Sequence, residues 1–123
     1  MAINLVKYMF VCVLGIAVGY GAVLSIRYFD VDYELNTVNL SEVNAQVVLL
    51  ATSWCEYCEK ARQLLRKNNV KFTEFDVEKS AEGRRLMEAT HSQGVPVILI
   101  ENRKYTGFNE RAIVSGLQAY NLM

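Results

Sequence analysis

The 123-residue sequence predicts an α/β domain, a four-stranded mixed sheet with three helices in the order β-α-β-α-β-β-α, preceded by one transmembrane helix. Three observations predict it. From Val47 onward, short unbroken apolar runs alternate with segments whose apolar residues recur at helical spacing, the pattern of buried strands joined through helices. The first two strand-like runs are linked through a helix and should be parallel, whereas the last two are separated by a tight turn and should be antiparallel. Finally, Tyr8 to Ile26 reads "YMFVCVLGIAVGYGAVLSI", 19 residues without a charge, between Lys7 and Arg27.

At about 1.5 Å per residue, a helix of that length matches a hydrocarbon core of about 30 Å. A cleaved leader would have a shorter apolar region, about 7–15 residues, ending at a small-x-small site. The best such site, Gly19-Tyr20-Gly21, lies inside the run, so a retained anchor is expected over residues 1–27, with 8–26 in the membrane. Lys and Arg fall one on each side. The free amino terminus adds to the short side, so the balance favours the soluble domain on the extracytoplasmic, periplasmic side. Gly15-x-x-x-Gly19, with Ala17 and Gly21, would let two such helices approach closely in a weak homodimer. The abundance of Gly in membrane helices is the simpler reading of the same pattern, and Cys12 reads as a small apolar residue. Residues 28–46 have no period, Pro or Gly and read as a tether that adds at most a short turn or strand to the domain at 47–123. The 13 basic and 13 acidic residues balance, so no global field favours nucleic acid.

Within the domain, "VVLLAT" (47–52) is a strand buried on both faces. Tyr57, Ala61, Leu64 and Leu65 then mark a helix that ends near Asn68-Asn69. "KFTEFDV" (71–77) is a more polar strand and belongs at an edge. Ser80 is the N-cap of a second helix running to about Thr90. "VPVILI" (95–100) is another buried strand; a turn at Glu101-Asn102 leads to a short strand, Lys104–Thr106. Asn109 caps the last helix, whose apolar face carries Ile113, Val114, Leu117 and Tyr120.

The chemistry centres on "SWCEYCEKAR" (53–62), where two cysteines open a helix just after a buried strand. A free thiol, with a pKa of about 8.5, is mostly protonated at neutral pH, and only the thiolate attacks a disulfide. Unpaired N–H groups and the helix dipole favour an anion at this position. Glu56 and Glu59 oppose that effect, so moderate thiolate character is expected at Cys55. A spacing of two places the sulfurs one turn apart, with Cys55 attacking from the exposed start and Cys58 resolving the mixed disulfide. A zinc site needs four ligands, and His91 is the one other soft candidate in the domain, so no one-chain metal site is expected. Two chains could still pool thiolates around a [2Fe–2S] cluster or a soft metal ion, the alternative reading. Pro96, the one proline, cannot donate to a sheet ladder and belongs at a strand's start or edge.

Taken with "GVPVILI" and "TGFNERAI", the segment "WCEYC" resembles the glutaredoxin branch of the thioredoxin superfamily over about Val47 to Tyr120. The resemblance implies a thioredoxin-like fold and a dithiol–disulfide oxidoreductase without a tightly bound cofactor. It further implies a cis Val95-Pro96 bond beside the cysteines, with Val95 and Pro96 positioning substrate. Trp54 and Tyr57 are candidate substrate contacts, although Trp54 also reads as a packed aromatic and the helical spacing of Tyr57 fits core packing equally well. Gly107, Phe108 and Asn109 stand where glutathione-using members have a Gly-Gly pair and a capping residue. Thr52 replaces their usual Lys, and Gly94 their usual Thr. The GVPV and GF forms look more like the small redoxins that serve ribonucleotide reductase. Expected partners are therefore a protein disulfide or thiol, with a reductase or glutathione as electron donor. His91 reads as an exposed helix cap. Lys60, Arg62, Arg66 and Lys67 read as a solvated helix face, and Arg84-Arg85 likewise.

Overall fold

The computed structural model of the chain describes residues 7–17, 34–35 and 38–123. It divides into two compact units, Met1–Val31 and Asp32–Met123. In the first, residues 7–17 are helical, and every large apolar side chain from Tyr8 to Ile16 is at least 54% exposed. The rest of the expected membrane span, residues 18–26 with Gly19 and Gly21, lies outside the described residues. Among the described residues no helix is long and apolar enough to cross a membrane.

The second unit is built on a five-stranded sheet. Its strands are β1 (Glu34–Leu35), β2 (Val47–Ala51), β3 (Thr73–Asp76), β4 (Val97–Ile100) and β5 (Arg103–Thr106), in the order β1-β5-β4-β2-β3. β2 and β3 are parallel, and every other pairing is antiparallel. The four predicted strands are present with the predicted directions, and polar β3 is an edge. The sheet has five strands rather than four because β1 places Glu34 opposite Lys104 and Leu35 opposite Arg103. Two residues in an aperiodic stretch give no signal a sequence reading can use. The 28–46 segment, read as a tether that adds a short turn or strand, supplies both. A 3-10 turn at Leu40–Val43 is capped by Asn39, whose Oδ1 accepts from Ser41 N at 3.1 Å, and it buries Leu40 to 5% exposure.

Alternation along the central strands divides the core into two layers. Val47, Leu49 and Ala51 of β2 face the same way as Ile98 and Ile100 of β4, and they are covered by helices α1 (Glu56–Lys67) and α3 (Glu110–Ala119). Val48, Leu50, Val97 and Leu99 face the other way, under Leu40 and Leu86 of helix α2 (Ala81–Ala89). All nine strand side chains are wholly buried, which explains why both runs are continuously apolar. Each such burial contributes about 1.5–3 kcal/mol for the larger side chains. The helix starts are those predicted: Ser80 Oγ accepts from Gly83 N at 3.0 Å, and Asn109 Oδ1 accepts from Ala112 N at 3.1 Å. On α3, Ile113 and Leu117 are fully buried, while Val114 and Tyr120 are partly so.

Candidate active site

β2 ends at Ala51, and the chain crosses Thr52–Trp54 before Cys55 caps α1. The Cys55 Sγ accepts a hydrogen bond from Cys58 N at 3.2 Å, so the sulfur occupies the anion-favouring position at the helix start. On its other side it lies 3.9 Å from the carbonyl oxygen of Val95. The Val95-Pro96 bond is cis, as the family resemblance implies, and Pro96 precedes β4, where no ladder donor is missed. Both cysteines are free thiols.

The two sulfurs differ in access. Cys58 is wholly buried and Cys55 is 9% exposed. Cys55, expected at an exposed position, is thus mostly covered, because Val95 packs against the same core cluster. It still lines an open groove of about 540 Å³ together with Trp54, Tyr57, Val77, Glu78 and Val95, whereas Cys58 does not. Burial pushes the Cys58 thiol up to about 12, and a hydrogen bond with Cys55 adds to this; the Thr52 backbone and the Arg62 charge act the other way. The folded chain therefore holds the Cys58 proton more tightly than the unfolded chain does. That contribution to stability is complete below the ordinary value of 9.0 and is lost as pH rises toward about 12. Peptide mapping after brief iodoacetamide treatment of the reduced protein at pH 8 should find Cys55 labelled and Cys58 unlabelled. Comparable labelling of the two would contradict this division of roles.

The structure brings together some of the predicted site residues and separates others. Trp54, Tyr57 and Val95 line the groove with Cys55, and Pro96 is buried next to them. Gly107, Phe108 and Asn109 do not line it. Gly107 has a φ of 81° and donates its N–H to Pro96 O at 2.8 Å, Phe108 packs against the core, and Asn109 is a helix cap. Tyr57 is 58% exposed, with the Lys60 Nζ 4.8 Å from its ring centre. Its place on the buried face is taken by Cys58, which joins Ala61, Leu64 and Leu65.

Arg62 is not part of a solvated face. Its side chain is 12% exposed and ties α1 to β3 and to the cysteine loop through Glu74 at 2.8 Å, Glu59 at 3.0 Å and the Thr52 carbonyl at 3.0 Å. Arg84 and Arg85 hold local partners, Arg84 the Glu78 carbonyl and Arg85 the carboxylates of Glu82 and Glu42. His91 is exposed and follows the α2 cap at φ 54°, away from the groove. Sequence reasoning missed Glu78, whose Oε2 accepts from Trp54 Nε1 at 3.1 Å. The two residues are 24 positions apart, and no local pattern links them. Among the described residues no cluster of three or more His, Cys, Asp or Glu is arranged to hold a metal ion.

A helix-capping cysteine beside a cis X-Pro bond, with a buried partner thiol one turn on, places the domain among the thioredoxin-like thiol–disulfide proteins. The glutaredoxin family model matches residues 47–105. An uncharacterised glutaredoxin-like 8.6 kDa protein from the rubredoxin operon of Clostridium pasteurianum is 31% identical over 68 residues, covering 54% of this chain and 91% of that one. The chain belongs to the glutaredoxin family. Among solved structures, the thioredoxin-like protein BC3987 is 29% identical with a TM-score of 0.55, over 58% of this chain and 99% of its own. Glutaredoxin grx-1 from Archaeoglobus fulgidus has a TM-score of 0.57 at 24% identity, over 66% and 96%, a likeness of fold alone.

Proposed function

We propose that the protein is a membrane-anchored thiol–disulfide oxidoreductase acting on protein disulfides or thiols, with its catalytic domain on the extracytoplasmic side. The observation that carries the redox reading is the asymmetry of the pair: Cys55 opens on the groove, and Cys58 is sealed one turn behind it. In the reducing direction, the Cys55 thiolate attacks one sulfur of the substrate disulfide. A Cys55–substrate disulfide forms and the other substrate sulfur leaves as a thiolate. Once Cys55 is in that bond, its thiolate no longer holds the Cys58 proton in place, and the Thr52 backbone and Arg62 remain to favour the Cys58 anion. Cys58 gives up its proton and attacks Cys55 Sγ; the Cys55–Cys58 disulfide forms, and the second substrate thiolate leaves and takes up a proton. Two electrons pass from the pair to the substrate, and a reductase or glutathione restores the dithiol.

Support for the anchor comes from the uncharged run at residues 8–26 and the exposed apolar side chains on its helical part. The protein should stay with the membrane fraction after alkaline carbonate washing, and an impermeant thiol or protease probe should reach the domain from the extracytoplasmic side only. Recovery in the soluble fraction would end the anchored reading. Cys58→Ser should accumulate a mixed disulfide at Cys55 that reductant releases, because the attack survives and the resolution does not. Absence of any trapped adduct in cells or with a model disulfide would count against exchange at this site.

A further inference from the structure

The groove beside Cys55 carries charge of one sign. Among the described residues lining it, Glu56 and Glu78 are acidic and none is basic. Glu56 is matched by Lys60 at 3.1 Å. Glu78 differs: its carboxylate accepts from the neutral indole of Trp54, and no ion pair among the described residues includes it. The nearby cations are engaged with other groups, Lys79 with Asp76 at 4.0 Å and Arg84 with the Glu78 backbone carbonyl at 2.8 Å. Trp54, the one tryptophan in the chain, is 71% exposed at this place. An exposed indole held beside an unmatched carboxylate offers a basic side chain two attractions at once, an ion pair and a cation–π contact. Next to it, Val77, Met87 and Val95 provide an apolar wall.

We propose that Trp54 and Glu78 form a specificity corner for a Lys or Arg flanking the reactive cysteine of a polypeptide substrate. The protein then favours cationic polypeptide disulfides over anionic small ones such as glutathione disulfide. The inference rests on the oxidoreductase reading and names the substrate class for it. Electrostatics of this kind act mainly on encounter and selectivity.

The test uses the reduced full chain in neutral detergent. Its probes are disulfide dimers of three blocked pentapeptides with the cysteine flanked by lysine, serine or glutamate, and glutathione disulfide. The rate of Cys55 oxidation is measured for the unaltered protein, Glu78→Gln and Glu78→Lys, and each rate is divided by that for the serine peptide. Comparing variants on one probe cancels the probe's intrinsic reactivity. The lysine-to-glutamate rate ratio should fall about 3-fold or more in Glu78→Gln, fall further in Glu78→Lys, and shrink in the unaltered protein as salt is raised. A ratio that is the same in all three proteins overturns the proposal and leaves the oxidoreductase reading standing. A reduced protein that none of the four probes oxidises overturns both.

Discussion

Cys55→Ser is expected to lower disulfide-reduction activity by about 10³-fold or more, to the background of the assay. The reason is that no other group can take over. Cys58 is wholly buried and does not line the groove, and burial, the largest cause of its raised thiol pKa, persists in the variant, so little of it is thiolate at pH 7. A serine oxygen is far less acidic than a thiol and does not form the mixed disulfide. The same substitution should leave the fold intact. Cys55 is the N-cap of α1, accepting from Cys58 N, and Ser is a preferred residue for that position. The melting temperature of Cys55→Ser should therefore equal or exceed that of the unaltered protein, which separates lost chemistry from lost structure. Insulin reduction driven by dithiothreitol measures the first, and thermal unfolding the second. Activity that persists in Cys55→Ser would place the reaction elsewhere in the chain.

What the sequence reveals about this site depends on how far apart the participating residues lie. The strand-to-helix junction and the two-residue spacing are local, so the places of Cys55 at the helix start and Cys58 one turn on can be read directly, and so can the Ser80 and Asn109 caps. Tyr57 shows where a local reading becomes ambiguous. Residues 57 and 58 both stand three or four positions before Ala61, so helical period alone cannot choose between them. The core takes the small thiol, and the large amphipathic ring is left at the groove. Arg62 has the sequence signature of a surface cation. Its depth follows from Glu74, a residue on the neighbouring strand that receives its guanidinium. The Trp54–Glu78 contact and the β1–β5 pairing are products of tertiary packing alone. Thr52 closes the run read as a buried strand and is 3% exposed, although β2 itself ends at Ala51; that its backbone serves both Arg62 and Cys58 is not visible in the sequence.

Gly83→Ala should destabilise the domain by about 1–2 kcal/mol, although alanine is the better helix former by about 1 kcal/mol. Gly83 lies in the first turn of α2, facing the end of β3. A Cβ there would stand 2.7 Å from the Asp76 carbonyl oxygen, 3.1 Å from its carbon and 3.2 Å from the Phe75 Cβ. Two of these contacts are backbone, which cannot turn aside as a flexible side chain would. The Asp76 carbonyl also accepts from Ser80 N at 2.8 Å, and the Asp76 carboxylate accepts from Glu78 N at 2.9 Å and Lys79 N at 3.1 Å. Asp76 thus shapes the turn that carries Val77 and Glu78 to the groove. Relieving the clash by moving α2 loosens Leu86 from the core, and relieving it by moving Asp76 displaces Glu78 from Trp54. Denaturant unfolding measures the first effect. The second is read as a smaller preference for the lysine-flanked peptide over the glutamate-flanked one. A Gly83→Ala protein more stable than the original would mean that helix propensity outweighs this contact and that α2 can shift from β3 without loss.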